Sequence, residues 1–271
     1  MPQQTSLQPH PQQQIDLETP KSEPEPPKPQ EIDKVKAQRE WKHILVGAMA
    51  LAATAGYINS VVLDFFDIPV SHVTGAISRL GNDVARHQPH PLNALLVIVG
   101  FLAGTTLAGL FIGAVQILPS RRYAAIMMIE SVLLFISAYL LDNGSVYGPM
   151  MASIACGLQN GMTTSYCGLM IRTTHMTGLM TDIGLMIGHW MRHKAIAKWK
   201  LKFNLCILFS FFGGGVFGTW VGVLYGHWCM AIAASVCFFL GLIFFTIMQQ
   251  EINSQSDQED SPSDRAFPKE A

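Results

Sequence analysis

Hydrophobic residues form long runs in the middle of this chain, and polar residues collect at its two ends. The longest runs without Asp, Glu, Lys or Arg reach about 20 residues or more, the helix length that crosses about 30 Å of hydrocarbon. A backbone in lipid must satisfy its own hydrogen bonds, so each run predicts a transmembrane helix. The six predicted helices lie near residues 44–63, 93–117, 123–141, 146–171, 203–226 and 228–248.

Composition favours a membrane protein over a soluble domain. Of the 271 residues, 49% are hydrophobic and only 14% are charged, and the charges lie mostly in the terminal segments and between the runs. Residues 1–40 are rich in Pro and Gln, and residues 249–271 are acidic and rich in Ser. Neither segment can bury enough apolar surface to fold, which predicts two disordered tails.

Basic residues predict the orientation of the six helices. They cluster before the first helix, between the second and third, and before the fifth, whereas the connections on the other side hold only Arg79 and Arg86. By the positive-inside rule, both termini are cytoplasmic and the protein lies in the cell membrane. The net charge of -1 sums mixed-charge tails and basic loops and indicates no nucleic-acid partner.

Three sequence motifs occur twice, once in each half of the chain. The matches, first half against second, are GYIN (56–59) with GLQN (157–160), SHVTG (71–75) with THMTG (174–178), and FLAGTTLAG (101–109) with FFGGGVFGT (211–219). Three crossings per half would insert the second half in the opposite orientation, the inverted repeat of many secondary transporters. The predicted fold is therefore an all-α integral membrane protein, with six transmembrane helices as two inverted three-helix repeats (44–141 and 145–248). Each repeat contains a broken or short HxTG helix.

The repeated motifs also carry a family resemblance. GxxN, HxTG followed by a further Gly, and LQNG leading to RTTHMTG with TD beyond it resemble the YoaK family of small multi-pass membrane proteins, most of them bacterial. The resemblance covers about residues 44 to 248. The first half departs from it, with Arg79 where Asp182 stands in the second half. The resemblance implies a multi-pass protein of the bacterial inner membrane and implies no particular activity.

Asn59 and Asn160 lie near the ends of otherwise apolar helices. One interpretation is a broken helix, in which the freed backbone and the Asn amide line a substrate or ion site. The other is structural, with each Asn bonding a neighbouring helix for about 0.6 kcal/mol. The sequence leaves both interpretations open, although the duplication favours a shared role for the two residues.

His72 and His175 begin the two HxTG segments. We expect Ser71 or Thr74 to cap the first helical turn, and Gly75 to allow close helix approach. A helix N-terminus attracts anions and an imidazole can carry protons, so the segments could bind a solute or simply pack across a pseudo-twofold axis. The candidate substrate or ion site comprises Asn59, His72, Thr74, Gly75, Asn160, His175, Thr177, Gly178 and Asp182.

Two further observations concern charged residues. Arg79 and Asp182 occupy equivalent repeat positions with opposite charge, which suggests an ion pair that joins the halves. Glu130 lies well inside an apolar helix, where its repeat counterpart is Ala234. A carboxyl group within the membrane is a natural proton-coupling group, although Glu130 could instead reach Arg121, Arg122 or the membrane interface.

The remaining polar residues and the cysteines indicate little chemistry. His189 and His193 share a helix face but belong more naturally to the basic cytoplasmic flank, and the cysteines form no CxxC pair. We find no nucleophile elbow, phosphate loop or HExxH motif and expect no enzyme, metal or cofactor.

The favoured function is a carrier of a small solute or ion that is proton-coupled through Glu130. Its expected partners are the lipid bilayer and that solute or proton, and the oligomeric state stays open. The alternative is a non-transporting scaffold or regulatory protein that uses its tails. A membrane-embedded enzyme that uses His72, His175 and Asp182 is the third and least supported reading.

Overall fold

In a computed structural model, the structure of this protein is described for residues 29–87, 91–112, 121–164 and 173–259. The regular structure of these residues is entirely helical, with no strand, which confirms the predicted all-helical class. A short 3-10 turn, Gly226–Trp228, joins the last two helices. The helices are α1 (Pro29–Phe66), α2 (Val73–Ala85), α3 (Pro91–Ile112), α4 (Arg121–Asp142), α5 (Tyr147–Thr164), α6 (Met176–Met191), α7 (Lys198–Tyr225) and α8 (Cys229–Glu259).

Several of these helices are suited to a membrane. The four stretches of the described chain that are long and apolar enough to cross one are Ile44–Phe66, Leu92–Ile112, Arg121–Asp142 and Lys198–Gln250. The last contains both α7 and α8, which separate at Gly226, where φ is 59°. The chain thus has the apolar helices of a multi-pass membrane protein. The predicted count of six crossings is not confirmed. Residues 113–117 of the predicted second segment and 165–171 of the predicted fourth segment lie outside the described residues.

Helical structure extends into both of the segments that composition predicts to be tails. Helix α1 begins at Pro29, before the predicted boundary at residue 40, and α8 continues past residue 249 to Glu259. The physical reason at the first boundary is that residues 30–42 are mostly Glu, Lys, Gln, Ala and Arg, which favour helix even where they cannot form a core. The rest of each predicted tail, residues 1–28 and 260–271, lies outside the described residues.

Helices α1 and α7 run parallel with their backbones in close contact. A Cβ atom added to Gly214 would meet the carbonyl oxygen of Ala53, and one added to Gly218 would lie 2.8 Å from the carbonyl oxygen of Tyr57. Since contact positions advance together along both helices, the two have the same direction. Small residues let the helices approach this closely without polar groups, as in other membrane helix pairs.

Helices α3 and α5 form a second parallel pair of the same kind. A Cβ atom on Gly104 would meet the carbonyl oxygen of Ile154, and one on Gly161 would lie 2.6 Å from the Cβ atom of Ala108. In the two duplicated Gly-rich motifs, FLAGTTLAG (101–109) and FFGGGVFGT (211–219), Gly104, Gly214 and Gly218 therefore serve close helix packing.

Helix α4 lies between α5 and α8 and is antiparallel to both. Against α8, the ring of Tyr123 lies 6.3 Å from that of Phe244. Against α5, the Ser137 hydroxyl donates a hydrogen bond to the carbonyl oxygen of Gly148 (2.8 Å). One face of α4 is therefore buried in the centre of the bundle, and this face carries Glu130.

Neighbouring glycines of α7 provide a direct test of the α1–α7 contact. We expect Gly214→Ala to lower the free energy of unfolding by about 1–3 kcal/mol, because its methyl group would push the two backbones apart. Gly213→Ala is the matched control: no atom of the described residues lies within 4 Å of a Cβ atom at Gly213, and alanine favours helix over glycine by about 1 kcal/mol. Denaturant titration in detergent micelles measures both variants. Equal destabilisation of the two would contradict the observed contact.

Candidate functional site

Each half of the chain bonds its GxxN asparagine to the residue that directly precedes its own HxTG motif. In the first half, the backbone N–H of Ser71 donates to Asn59 Oδ1 (3.0 Å). In the second, the Thr174 hydroxyl donates to Asn160 Oδ1 (2.8 Å). The two asparagines therefore hold the segments that begin the short helices against the long helices that precede them.

The first half contains the helix break that its sequence suggests. Helix α1 ends at Phe66, Asp67 has a φ of 56°, and α2 begins only at Val73. The intervening segment turns into the protein, where the Ser153 hydroxyl lies 3.2 Å from the carbonyl oxygen of Val70. A positive φ is uncommon for a residue other than glycine, so this break is fixed by surrounding contacts rather than by local preference. In the second half, residues 165–172 of the corresponding segment lie outside the described residues.

The predicted caps of α2 do not form. His72 is the N-cap residue, and no side chain bonds the first turn of this helix. The Ser71 hydroxyl is buried and has no hydrogen-bond partner among the described residues, so it does not cap this helix either. Gly75 also has a different role from the one predicted. A Cβ atom there would lie 2.9 Å from His72 Nδ1 and 3.1 Å from Pro69 Cγ, so glycine makes room for these side chains rather than for a second helix.

Most side chains of the predicted substrate site lie on the outside of the two short helices. The imidazoles of His72 and His175 are exposed, as is Asp182. Thr74 and Thr177 are also exposed, while Gly75 and Gly178 are half-buried. Asn59 and Asn160 are half-buried and bonded within their own halves. Within each half, the asparagine and the HxTG segment thus form a cluster.

Arg79 does not pair with Asp182, so that prediction is wrong. Arg79 Nη1 lies 2.6 Å from Asp67 Oδ2 and also donates to the Asp67 carbonyl oxygen, and Arg79 Nε lies 3.8 Å from Asp83 Oδ2. The break at Asp67 brings its carboxylate next to α2, where it supplies a partner from the same half. Asp182 is exposed on α6.

Glu130, the predicted proton-coupling residue, is fully buried where α4 faces α5 and α8. Within the described part of the chain, neither carboxyl oxygen has a hydrogen-bond partner. The thiol of Cys237 on α8 lies beside the carboxyl group, and that of Cys156 on α5 is close enough to interact with it electrostatically. The Cys237 thiol does not meet hydrogen-bond geometry, and a thiol is only a weak donor, so it leaves the carboxyl group without an effective partner. The proposed contact of Glu130 with Arg121 or Arg122 is not observed, since both arginines are exposed at the start of α4.

Gln159 is a second buried polar residue, and the sequence prediction missed it. Its side chain is fully buried, and Nε2 donates to the carbonyl oxygen of Leu51 on α1 (2.7 Å). Among the residues described, Gln159 Oε1 has no partner. The available signal was the motif comparison, because the matching position in the first half is the apolar Ile58.

A cavity of about 360 Å³ lies between α1, α4, α5 and α8. Its lining is almost entirely apolar and includes Met127, Met162 and Leu240. These three residues stand one helical turn from Glu130, Gln159 and Cys237, respectively, so they lie on the same helix faces as the buried polar groups. The cavity therefore ends one turn away from Glu130 and Gln159.

This arrangement is suited to proton or cation chemistry. Buried charges are normally paired, and intramembrane carboxyl groups that face a bundle interior commonly mark proton, ion or substrate pathways. Glu130 has neither a base nor a regular hydrogen bond in the described residues. It can therefore take up or release a proton, or neutralise a cation, without breaking an existing structural bond.

The chain belongs to the DUF1275 family of proteins of unknown function, whose family model matches residues 47–244. That range falls within the residues that resemble the YoaK family, although the YoaK resemblance itself stays a prediction. No curated protein and no solved structure matches the chain. Family membership and the apolar helices together indicate a membrane protein, and a more specific function has to be inferred from the geometry.

Proposed function

We propose that this protein is a six-crossing membrane carrier that moves a small solute or ion and couples the movement to a proton at Glu130. The observation that carries the proposal is the fully buried Glu130 carboxyl group, which has no hydrogen bond within the described residues. A charged side chain at the centre of a membrane helix costs at least about 2.5–3.5 kcal/mol on insertion scales. A group this unfavourable for folding is explained by a role in function.

Matched contacts between helices support the inverted repeat. A Cβ atom at Gly56 would meet the carbonyl oxygen of Phe211, and one at Gly157 would meet the carbonyl oxygen of Phe101. Gly56 and Gly157 begin the two GxxN motifs, and the two phenylalanines begin the two Gly-rich motifs. Two copies of one unit, related by a pseudo-twofold axis in the membrane plane, would make such equivalent contacts.

The directions of the long helices support six crossings. Helix α1 is antiparallel to α8, because Tyr57 near its end donates to the carbonyl oxygen of Cys229 at the start of α8 (2.8 Å), while Leu51 and Leu240 line the same cavity. With the pairs described above, α1, α4 and α7 run one way and α3, α5 and α8 run the other. Each successive long helix therefore reverses direction.

The one-sided position of the cavity supports a carrier. The cavity lies at the end of the bundle where α1 and α4 begin, which the basic residues assign to the cytoplasm. Gly47, which lines it, corresponds in the repeat to Gly148 at the opposite end. There the bundle is packed, since a Cβ atom on Gly148 would lie 2.6 Å from Leu141 Cδ2. A cavity at one end and packing at the other is what one state of an alternating-access carrier would have.

In this proposal, the two clusters of an asparagine with an HxTG segment have a structural role rather than binding the solute. Asn59 and Asn160 tie the short helices to the long ones, so α2 and α6 would move with α1 and α5 when the bundle changes state. A separate solute site that includes His72 and His175 stays a prediction.

Proteoliposomes with an entrapped pH indicator test the proposal. We expect at least one solute from a broad panel to change the internal pH in liposomes that contain the wild-type protein. Glu130→Gln should reduce this response about tenfold or more, because it removes the proton-carrying group while keeping the side-chain shape. Asp142→Asn removes an exposed carboxylate from the end of the same helix and should leave the response unchanged.

Two results would contradict the carrier. The first is a solute-driven pH change that is equal in the wild type and in Glu130→Gln, which would remove the coupling role. The second is the absence of any response across the panel, which would favour the scaffold or regulatory protein.

A further inference from the structure

We propose that the cavity next to Glu130 binds lipophilic organic cations and that such cations are the substrate class of this protein. The transport half of this inference rests on the proposed carrier function. The binding half does not, because a site can be occupied at equilibrium whether or not its ligand is moved across the membrane.

The cavity walls offer surfaces that attract large, weakly hydrated cations. Tyr123 and Phe244 face each other across α4 and α8 with their ring centroids 6.3 Å apart, and both line the cavity. Met127 and Met162 add flexible, polarizable side chains. Aromatic faces attract cations electrostatically, most strongly where water is excluded.

The lining offers little to a strongly polar solute. Thr163 is one of its few polar residues, and its hydroxyl already donates to the carbonyl oxygen of Asn160 (3.1 Å). A sugar or an amino acid would lose its hydrogen bonds to water on entering and would regain few of them. The ligand is therefore expected to be mainly apolar.

The buried carboxyl group of Glu130 favours a positively charged ligand. Where side-chain burial is described, no Lys, Arg or His side chain is buried, whereas the Glu130 carboxyl group is fully buried and has no hydrogen-bond partner among the described residues. Met127, which lines the cavity, stands one helical turn from Glu130 on α4, and Leu240, which also lines it, stands one turn from Cys237 on α8. A cation in the cavity would supply the charge partner that Glu130 lacks, while an anion would be repelled.

The size and mouth of the cavity fit the same class. Its volume of about 360 Å³ falls in the range of small-molecule sites, about 300–1,000 Å³. Val46, Ile243 and Ile247 line it and are exposed. An apolar molecule can therefore approach the site along an apolar surface.

Equilibrium dialysis of purified protein in detergent with tetraphenylphosphonium tests the binding step. We expect saturable binding to the wild type, and binding about tenfold or more weaker to Glu130→Gln, which corresponds to the loss of one short-range charge interaction in a partly desolvated site. Asp142→Asn is the matched control and should bind as the wild type does. Circular dichroism of each variant verifies that a weaker signal is not caused by unfolding.

Competition identifies the occupant. A second lipophilic cation should displace the probe, whereas tetraphenylborate, an anion of the same shape, should not.

Two results would overturn the inference and indicate an acyl-chain groove. One is equal probe binding to the wild type and to Glu130→Gln. The other is displacement of the probe by a fatty acid or phospholipid with the same efficiency as by a cation. Probe binding without transport would support the cation-binding site and contradict the proposed carrier function. Glu130-dependent transport of another solute, without probe binding, would support the carrier function and contradict the cation-binding site.

Discussion

Replacing Glu130 with methionine is expected to raise the free energy of unfolding by about 1–3 kcal/mol, the cost of a buried polar group left without a partner. Methionine has a similar length, fits irregular spaces and removes both carboxyl oxygens. The same change should abolish proton-coupled flux, because no proton-carrying group would remain at this position. Few substitutions remove function and increase stability together, and those that do mark a residue retained for function.

Ser137→Ala on the same helix is the matched control for this prediction. The Ser137 hydroxyl is also fully buried, but it donates to the carbonyl oxygen of Gly148 (2.8 Å). Its removal should lower the free energy of unfolding by about 1 kcal/mol. Denaturant titration in detergent micelles compares the two variants. If Glu130→Met is destabilised as Ser137→Ala is, the carboxyl group has a structural partner and its proposed role is wrong.

Glu130 also distinguishes the two halves of the chain. Its repeat counterpart on α8 is Ala234, which is buried as well. Helices α4 and α8 contact each other with Tyr123 against Phe244 and Gly241 against Met127. Position 130 lies one helical turn from this contact along α4, and position 234 lies two turns from it along α8. The proposed carrier would therefore have a single coupling carboxyl group, supplied by one repeat only.

Much of the helical framework could be predicted from the sequence, because lipid exposure makes apolar length a direct signal for helix. The short helices were predictable for a related reason, since their polar motifs interrupt the apolar runs. Helices α2 and α6 begin directly after His72 and His175, as the duplicated HxTG motifs suggest. Glu130 was identifiable because a lone carboxyl group in an apolar run is rarely accidental.

The details that failed depend on the three-dimensional neighbourhood of each residue. The partner of Arg79 is Asp67 rather than Asp182, because the break after α1 turns that carboxylate toward α2. The predicted caps at Ser71 and Thr74 are absent, because α2 begins at Val73 and His72 occupies the N-cap position. The cavity has no sequence signal, since the residues that line it have the same apolar character as residues that face lipid. The sequence prediction missed Gln159 for a different reason. In GLQN (157–160), only the positions shared with GYIN (56–59) were considered, and these include Asn160 but not Gln159.

Cysteine labelling at three exposed positions tests the central claim, that the two halves of the chain are inserted in opposite orientations. His87 follows α2, Asn143 follows α4, and Lys194 lies between α6 and α7. Three of the six proposed crossings, α3, α4 and α5, separate His87 from Lys194. If α5 does not cross the membrane, only two crossings separate them.

The measurement is reaction with a membrane-impermeant maleimide in intact cells that express His87→Cys, Asn143→Cys or Lys194→Cys in an otherwise cysteine-free chain. The inverted repeat predicts that the cysteines at positions 87 and 143 are labelled from outside, and that the one at position 194 is labelled only after the cells are permeabilised. Labelling of position 194 from outside, together with position 87, would contradict the six-crossing inverted repeat.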